Sequence, residues 1–142
     1  WVTDFGLAQV NAEANLTRTG DVFGTLRYMS PEQATGNRVL VDHRTDVYSA
    51  GAVLYEYLTL SEPLRGKHVQ DTFDMIVSTM PEPPRARAPQ RRIPQPLADI
   101  CLRALAKNPD ERYPTMLDMI SAIRAFRGRG ARHRGPIHLG TR

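Results

Sequence analysis

The sequence predicts a mainly α-helical fold, on three observations. Apolar residues recur at helical spacing in three late stretches: Phe73, Ile76, Val77 and Met80; then Ile100, Cys101, Ala104 and Leu105; then Met116, Met119, Ile120, Ile123 and Phe126. A further stretch, from Asp46 to about Leu60, has only Asp46, Ser49, Glu56 and Thr59 clearly polar. It is apolar nearly all round and predicts a buried helix. The boundaries carry their own chemistry. Ser30-Pro31 is a helix start, since Ser caps and Pro at the first helical position loses no hydrogen bond. Gly36 and Pro109 are stops.

Taken in order, Trp1 to Thr3 reads as the end of a short strand that delivers Asp4. Gln9 to Phe23 is polar and keeps no period of 2 or 3.6, which predicts a mobile loop. Its hydroxyl residues include Thr17 and Thr19. A short helix follows Ser30, and the long apolar helix begins at Asp46. Asp71 to Met80 predicts an amphipathic helix capped by Asp71. The stretch from Pro81 to Pro96 is rich in Pro and Arg and predicts an irregular surface connector. Leu97 to Lys107 is the next helix, stopped by Pro109, and the Met116 to Phe126 pattern is the last.

A chain of 142 residues is one ordinary domain with enough length for a core. At 41% hydrophobic and 24% charged residues, its composition is that of a globular protein rather than a disordered or fibrous one. No apolar run approaches the length of a membrane span, and no signal peptide pattern opens the chain. The lone Cys101 offers no disulfide partner, which fits a reducing compartment and a core position. The first residue is Trp1 rather than Met, so the chain reads as a piece of a longer protein. Net charge is +4, yet from Arg124 onward there are six Arg and no acid, which leaves −2 for the remainder. A basic tail could attract a nucleic acid or an anionic lipid surface. The missing aromatic residues and the helix-breaking Gly128, Gly130 and Gly135 favour a solvated, disordered tail over 128–142, and no nucleic-acid partner is expected. His43 has no second His or Cys at metal spacing and reads as a surface or capping residue.

Two motifs carry chemistry. Asp4-Phe5-Gly6 places a hard oxygen ligand beside a glycine that lets the backbone turn, with Phe5 able to pack inward. Gly24-Thr25-Leu26-Arg27-Tyr28-Met29-Ser30-Pro31-Glu32 follows some twenty residues later. Asp-Phe-Gly alone is weak. Paired in this order and spacing, the two resemble the ends of a protein-kinase activation segment. With Asp46-Val47-Tyr48-Ser49-Ala50-Gly51 and Asn108-Pro109-Asp110-Glu111-Arg112, the chain resembles the C-terminal lobe of a bacterial eukaryotic-like (Hanks-type) serine/threonine protein kinase, from Thr3 to about Arg127. Ala50 departs from the family, where Leu is usual.

The resemblance implies a partial kinase domain over 1–127, with the activation segment at 4–32 and a helical lobe at 33–127. It implies ATP and Mg²⁺ as cofactors, with Asp4 the magnesium ligand and Asp4, Phe5 and Gly6 on the nucleotide side. Thr25 would bond the catalytic-loop Asp and help select a Ser or Thr acceptor. Leu26 to Met29 would form the floor under the bound substrate. Asp46 would accept hydrogen bonds from the catalytic-loop backbone, and Glu32 would form a buried ion pair with Arg112. Thr17 and Thr19 become phosphorylation candidates. Protein substrates with Ser or Thr acceptors are implied as partners, together with a kinase homodimer for trans-autophosphorylation. The implied location is cytoplasmic, with any membrane anchor outside this chain.

A working kinase also needs a Gly-rich loop, a strand Lys paired to a helix Glu, and a His-Arg-Asp catalytic loop with its Asn. None follows Asp4 in this sequence. The chain alone is therefore expected neither to bind ATP appreciably nor to transfer phosphate. The long helix should expose an apolar patch where those elements would pack. The alternatives are a pseudokinase serving as a scaffolding or binding module, and an unrelated helical interaction domain.

Overall fold

A computed structural model describes residues 19–132, and every described element is helical. In chain order these are α1 (Thr19–Leu26), α2 (Pro31–Ala34), α3 (His43–Thr59), α4 (Val69–Ser78), α5 (Pro84–Arg87), α6 (Gln95–Ala104) and α7 (Met116–Arg132). Two 3-10 turns, Pro89–Arg91 and Pro109–Glu111, lie before and after α6. The expected strand at Trp1 to Thr3 lies outside the described residues.

Helix α3 is the centre. It packs against α5, α6 and α7, while α4 lies against α1 and α2. Tyr48, Ala52, Tyr55 and Leu58 of α3 meet Cys101 and Leu105 in one core cluster. Val47 meets Ile100, Ala104, Tyr113 and Met119 in a second. A third joins Leu26 and Met29 to Leu64 and Ile76, tying α1 and the start of α2 to α4. The α3–α6 crossing is close because Gly51 has no side chain. A Cβ there would stand 2.7 Å from the Ala104 Cβ.

The ends follow local chemistry. Ser30 and Gln33 form a reciprocal capping box, Gln33 N–H donating to Ser30 Oγ at 3.3 Å and Ser30 N–H to Gln33 Oε1 at 3.0 Å. Gly36, at φ 67°, takes the left-handed turn after α2. Leu60 makes the same turn after α3 at φ 59°, without glycine's freedom.

Several elements differ from the sequence expectation. α3 begins at His43 rather than Asp46, because Asp42 caps it by accepting from Arg44 N–H at 2.8 Å. α4 begins at Val69, and Asp71 acts from its first turn by accepting from His68 N–H at 3.0 Å. The end of the expected loop, from Thr19, is helical. Leu26 is buried and Val22 packs beside it, so tertiary burial overrides a polar local sequence. The 81–96 connector is not only a surface strip. Ala88 and Ile93 enter the first core cluster, and Tyr55 donates to the Glu82 carbonyl at 2.8 Å.

The last helix passes through Gly128 and Gly130 to Arg132, beyond the boundary expected at 127. Helical glycines cost about 1 kcal/mol each relative to alanine without ending a helix, and both face open space. The interleaved Arg127 and Arg129 are good helix formers whose charge suits a helix C-terminus. The expectation for 133–142 lies outside the described residues.

α3 is not buried all round. Val53 is 54% exposed, and Tyr57 and Leu60 are each 75% exposed. With exposed Asp46 at the head, Val53 and Tyr57 fall on one helical face, and Leu60 follows just past the helix end. The long helix is therefore mostly core, with a narrow open stripe through Asp46, Val53 and Tyr57.

Candidate functional site

Glu32 and Arg112 meet in the interior. Arg112 donates through Nη1 to Glu32 Oε1 at 2.6 Å and through Nη2 to Oε2 at 2.8 Å. Both side chains are at most 1% exposed. The remaining guanidinium donors are also taken: Nε by the Ala106 carbonyl, Nη1 by that of Arg44 and Nη2 by that of Lys107. All five N–H groups thus have acceptors, which a buried guanidinium requires. Thr45 Oγ1 donates to Glu32 Oε1 at 2.8 Å. The Tyr48 ring lies 5.0 Å from the guanidinium carbon. Burial raises the Glu32 pKa, but hydrogen bonds from Arg112, its own backbone and Thr45, with the Arg112 charge, outweigh it. The carboxyl is left below its ordinary value of 4.5.

This pair clips the start of α2 to the turn after α6, so the end of the Gly24–Glu32 motif is fixed to the helical base. Lys107 reinforces that turn, its Nζ donating to the Ile76 carbonyl at 2.7 Å at the end of α4. Burial, with the Arg112 charge beside it, pushes the amine down to about 8.

The other expected site residues are placed as follows. Thr25 lies in α1 and its hydroxyl donates to the Asp21 carbonyl at 3.1 Å, a bond within the helix. Asp46 is exposed in the first turn of α3 and shares no hydrogen bond with Thr25 among the described residues. Thr19 opens α1. Asp4, Phe5, Gly6 and Thr17 lie outside the described residues. Among the described residues no group of three or more His, Cys, Asp or Glu side chains is placed to hold a metal ion. No described helix is long and apolar enough to cross a membrane.

The structure also brings together residues that sequence reasoning did not. A cavity of about 510 Å³ opens beside the Gly24–Glu32 motif, its polar lining being Arg27, Glu56, Ser61, Glu62, Arg65 and Arg87. Arg27 reaches Glu56 at 3.2 Å and Glu62 at 2.8 Å, and Arg65 reaches Glu62 at 3.2 Å. Tyr28 OH donates to Glu56 Oε2 at 3.2 Å. One signal was available: Glu56 is the only charged residue between Asp46 and Leu60. Thr45 and Tyr48 carried none, since their part around Glu32 depends wholly on the tertiary arrangement.

A family model described as "Protein kinase domain" matches residues 1–122. The chain is 43% identical over 120 residues to "Serine/threonine-protein kinase PknB" of Mycobacterium tuberculosis, covering 83% of this chain and 18% of that protein. It is 34% identical over 130 residues to "Probable serine/threonine-protein kinase PknB" of Lactococcus lactis, covering 86% and 19%. It is also 35% identical over 140 residues to "Tyrosine-protein kinase MasK" of Myxococcus xanthus, covering 99% and 21%. The chain spans about a fifth of the length of these relatives. With the kinase motifs in order and the match running through 122 of its residues, the chain belongs to the protein kinase domain family.

Proposed function

We propose that this chain is the activation segment and helical base of a protein kinase that moves the γ-phosphate of ATP to Ser or Thr side chains of protein substrates. The observation that carries the reading is the open face of α3. Asp46, Val53 and Tyr57 lie in register on it, each exposed among the described residues. A face with a hydrogen-bond acceptor at its head and apolar side chains below suits a catalytic loop and an upstream helix. Asp46 receives backbone N–H groups of that loop, and the apolar residues receive the helix.

The chain's own residues divide the work. Asp4 is the ligand for the magnesium that neutralises phosphate charge. Thr25 breaks its helical bond to Asp21 to orient the catalytic Asp and the acceptor hydroxyl. Leu26 to Met29 support the substrate. Glu32 and Arg112 keep this segment at a fixed height over the helical base, which is positioning rather than chemistry. A phosphate on Thr17 or Thr19 orders the segment by pairing with arginine. Two copies meet for trans-autophosphorylation, and the protein works in the cytoplasm.

Residues 1–142 contain no catalytic-loop Asp or Gly-rich loop, so the isolated chain should be inert. Incubated with Mg-ATP and a Ser/Thr-rich protein, the pure chain is expected to transfer no labelled phosphate, and ATP should leave its melting midpoint unchanged. Phosphate transfer by the pure chain would overturn this division of labour.

A further inference from the structure

We propose that the cavity beside the Leu26–Met29 segment is a docking site for an acidic side chain, carboxylate or phosphate, of a peptide bound along that segment. The kinase reading enters only in identifying that peptide as substrate; the binding itself does not depend on it.

The sign of the site follows from which charges reach solvent. The two carboxylates form the lower layer, with side chains 22% exposed at Glu56 and 14% at Glu62. The guanidinium groups form the upper layer, at 38% for Arg27, 54% for Arg65 and 48% for Arg87. Among the described residues Glu56 Oε1 accepts no hydrogen bond, but it is buried with Arg27 Nε 3.2 Å away, so an incoming cation would have to displace Arg27 to reach it or Glu62. An incoming anion meets donors already presented.

Those donors are held in place before any ligand arrives. Glu62 fixes Arg27 and Arg65 together, and the Phe23 ring lies 4.7 Å beneath the Arg65 guanidinium. Arg87 donates to Ser61 Oγ at 3.1 Å and lies 3.6 Å from Glu82 at the rim. Among the described residues Arg65 donates one hydrogen bond and Arg87 one. Most of their N–H groups therefore remain for a ligand. A planar fork oriented by a carboxylate below and an aromatic face beside it loses little entropy on gripping a second carboxylate or a phosphate. The cavity's position against Arg27, inside the Gly24–Glu32 motif, makes an extended peptide the fitting carrier of that anion.

The test uses the 142-residue chain without ATP. Fluorescein-labelled decapeptides with a central Ser, alike except for paired Glu, Gln, Lys or phosphoserine to one side, are titrated by anisotropy at low salt. The Glu and phosphoserine peptides should bind, the Gln and Lys peptides should not, and added salt should weaken binding. Arg65→Gln with Arg87→Gln should weaken the Glu peptide by about tenfold or more. Arg85→Gln with Arg92→Gln removes equal charge outside the lining and should change affinity by less than about twofold. The proposal is overturned if the Lys peptide binds as tightly as the Glu peptide, if the Glu peptide does not bind, or if both double variants weaken it equally. It is also overturned if inorganic phosphate competes at concentrations matching the peptide, which would make this a free-anion site. The comparison among peptides on the unaltered chain stands even if a variant fails to fold. Failure here leaves the kinase reading intact, and failure of phosphate transfer leaves this binding intact.

Discussion

Arg112 holds Glu32 in a two-pronged grip, at 2.6 and 2.8 Å, across 80 residues of chain. Nothing else described ties the start of α2 to the end of α6 so directly. Removing either partner leaves a buried, uncompensated charge. Glu32→Ala or Arg112→Ala should therefore cost about 3–5 kcal/mol. Arg112→Lys should recover only part of this, because an ammonium cannot span both carboxylate oxygens and the three carbonyls. Urea unfolding of the chain measures all three. A loss below about 1 kcal/mol in either alanine variant would mean that the grip does not hold the fold.

The same pair sets an acid limit. The Glu32 carboxyl titrates below its ordinary 4.5 in the folded chain, so the unfolded state takes up its proton first as pH falls. The stabilisation is complete above that value and is lost as pH drops through the lower folded pKa. Melting midpoints from pH 7 down to 3 should show this fall in the parent chain. Glu32→Gln should be less stable throughout with a flatter acid profile, and parallel profiles would contradict the assignment.

Much of this arrangement was legible beforehand, and the gaps have physical causes. Glu32 and Arg112 could be paired only through the resemblance to protein kinases, since nothing local links two residues 80 apart. The α3, α4, α6 and α7 helices were visible in their apolar spacing. Helix α1 was not, because its stability comes from Leu26 and Val22 packing near α4 rather than from local preference. Gly128 and Gly130 suggested a stop, yet two small penalties on an arginine-rich helix do not end it. α3 looked buried all round from composition, and the resemblance implied an open apolar patch on it, but which residues form that patch was not legible, since Val53 and Tyr57 are as apolar as Val47 and Tyr55. Only packing separates them. The arginine cavity gathers residues from three separate stretches of chain, a proximity that no spacing encodes.

Gly51 and Ala104 form the closest approach of α3 and α6. An added methyl at Gly51 stands 2.7 Å from the Ala104 Cβ and 3.2 Å from Leu105 Cγ. Overpacking of this kind costs about 1–3 kcal/mol, against about 1 kcal/mol gained in helix propensity. Gly51→Ala should be net destabilising, and much less so in an Ala104→Gly background. A double-mutant cycle by chemical denaturation should give a coupling of about 1 kcal/mol or more. Additive effects would contradict the crossing.

Lys107 gives a signature of the same sign as Glu32, at alkaline pH. Its amine falls from 10.5 to about 8 in the folded chain, so between those values the unfolded state holds the proton and the folded state has released it. Stability from this group therefore rises with pH across that window and is lost as pH falls through about 8. Compared with Lys107→Met, the parent chain should gain stability between about pH 8 and 10, below the range where tyrosines ionise. Identical slopes in the two proteins would place Lys107 in ordinary solvent.

The central claim is that this chain is one part of a phosphate-transferring lobe, with its open α3 face completed by catalytic elements from outside these residues. The most direct measurement expresses the chain together with the in-frame residues upstream of Trp1 and follows labelled phosphate from Mg-ATP onto a protein substrate. Phosphoamino-acid analysis then identifies the acceptor. The account predicts phosphoserine and phosphothreonine, abolished by Asp4→Ala and absent from the 142-residue chain alone. Phosphotyrosine would overturn the acceptor specificity. An upstream frame whose catalytic Asp is replaced, with no transfer, would contradict the enzyme reading and leave a kinase-shaped binding module in its place.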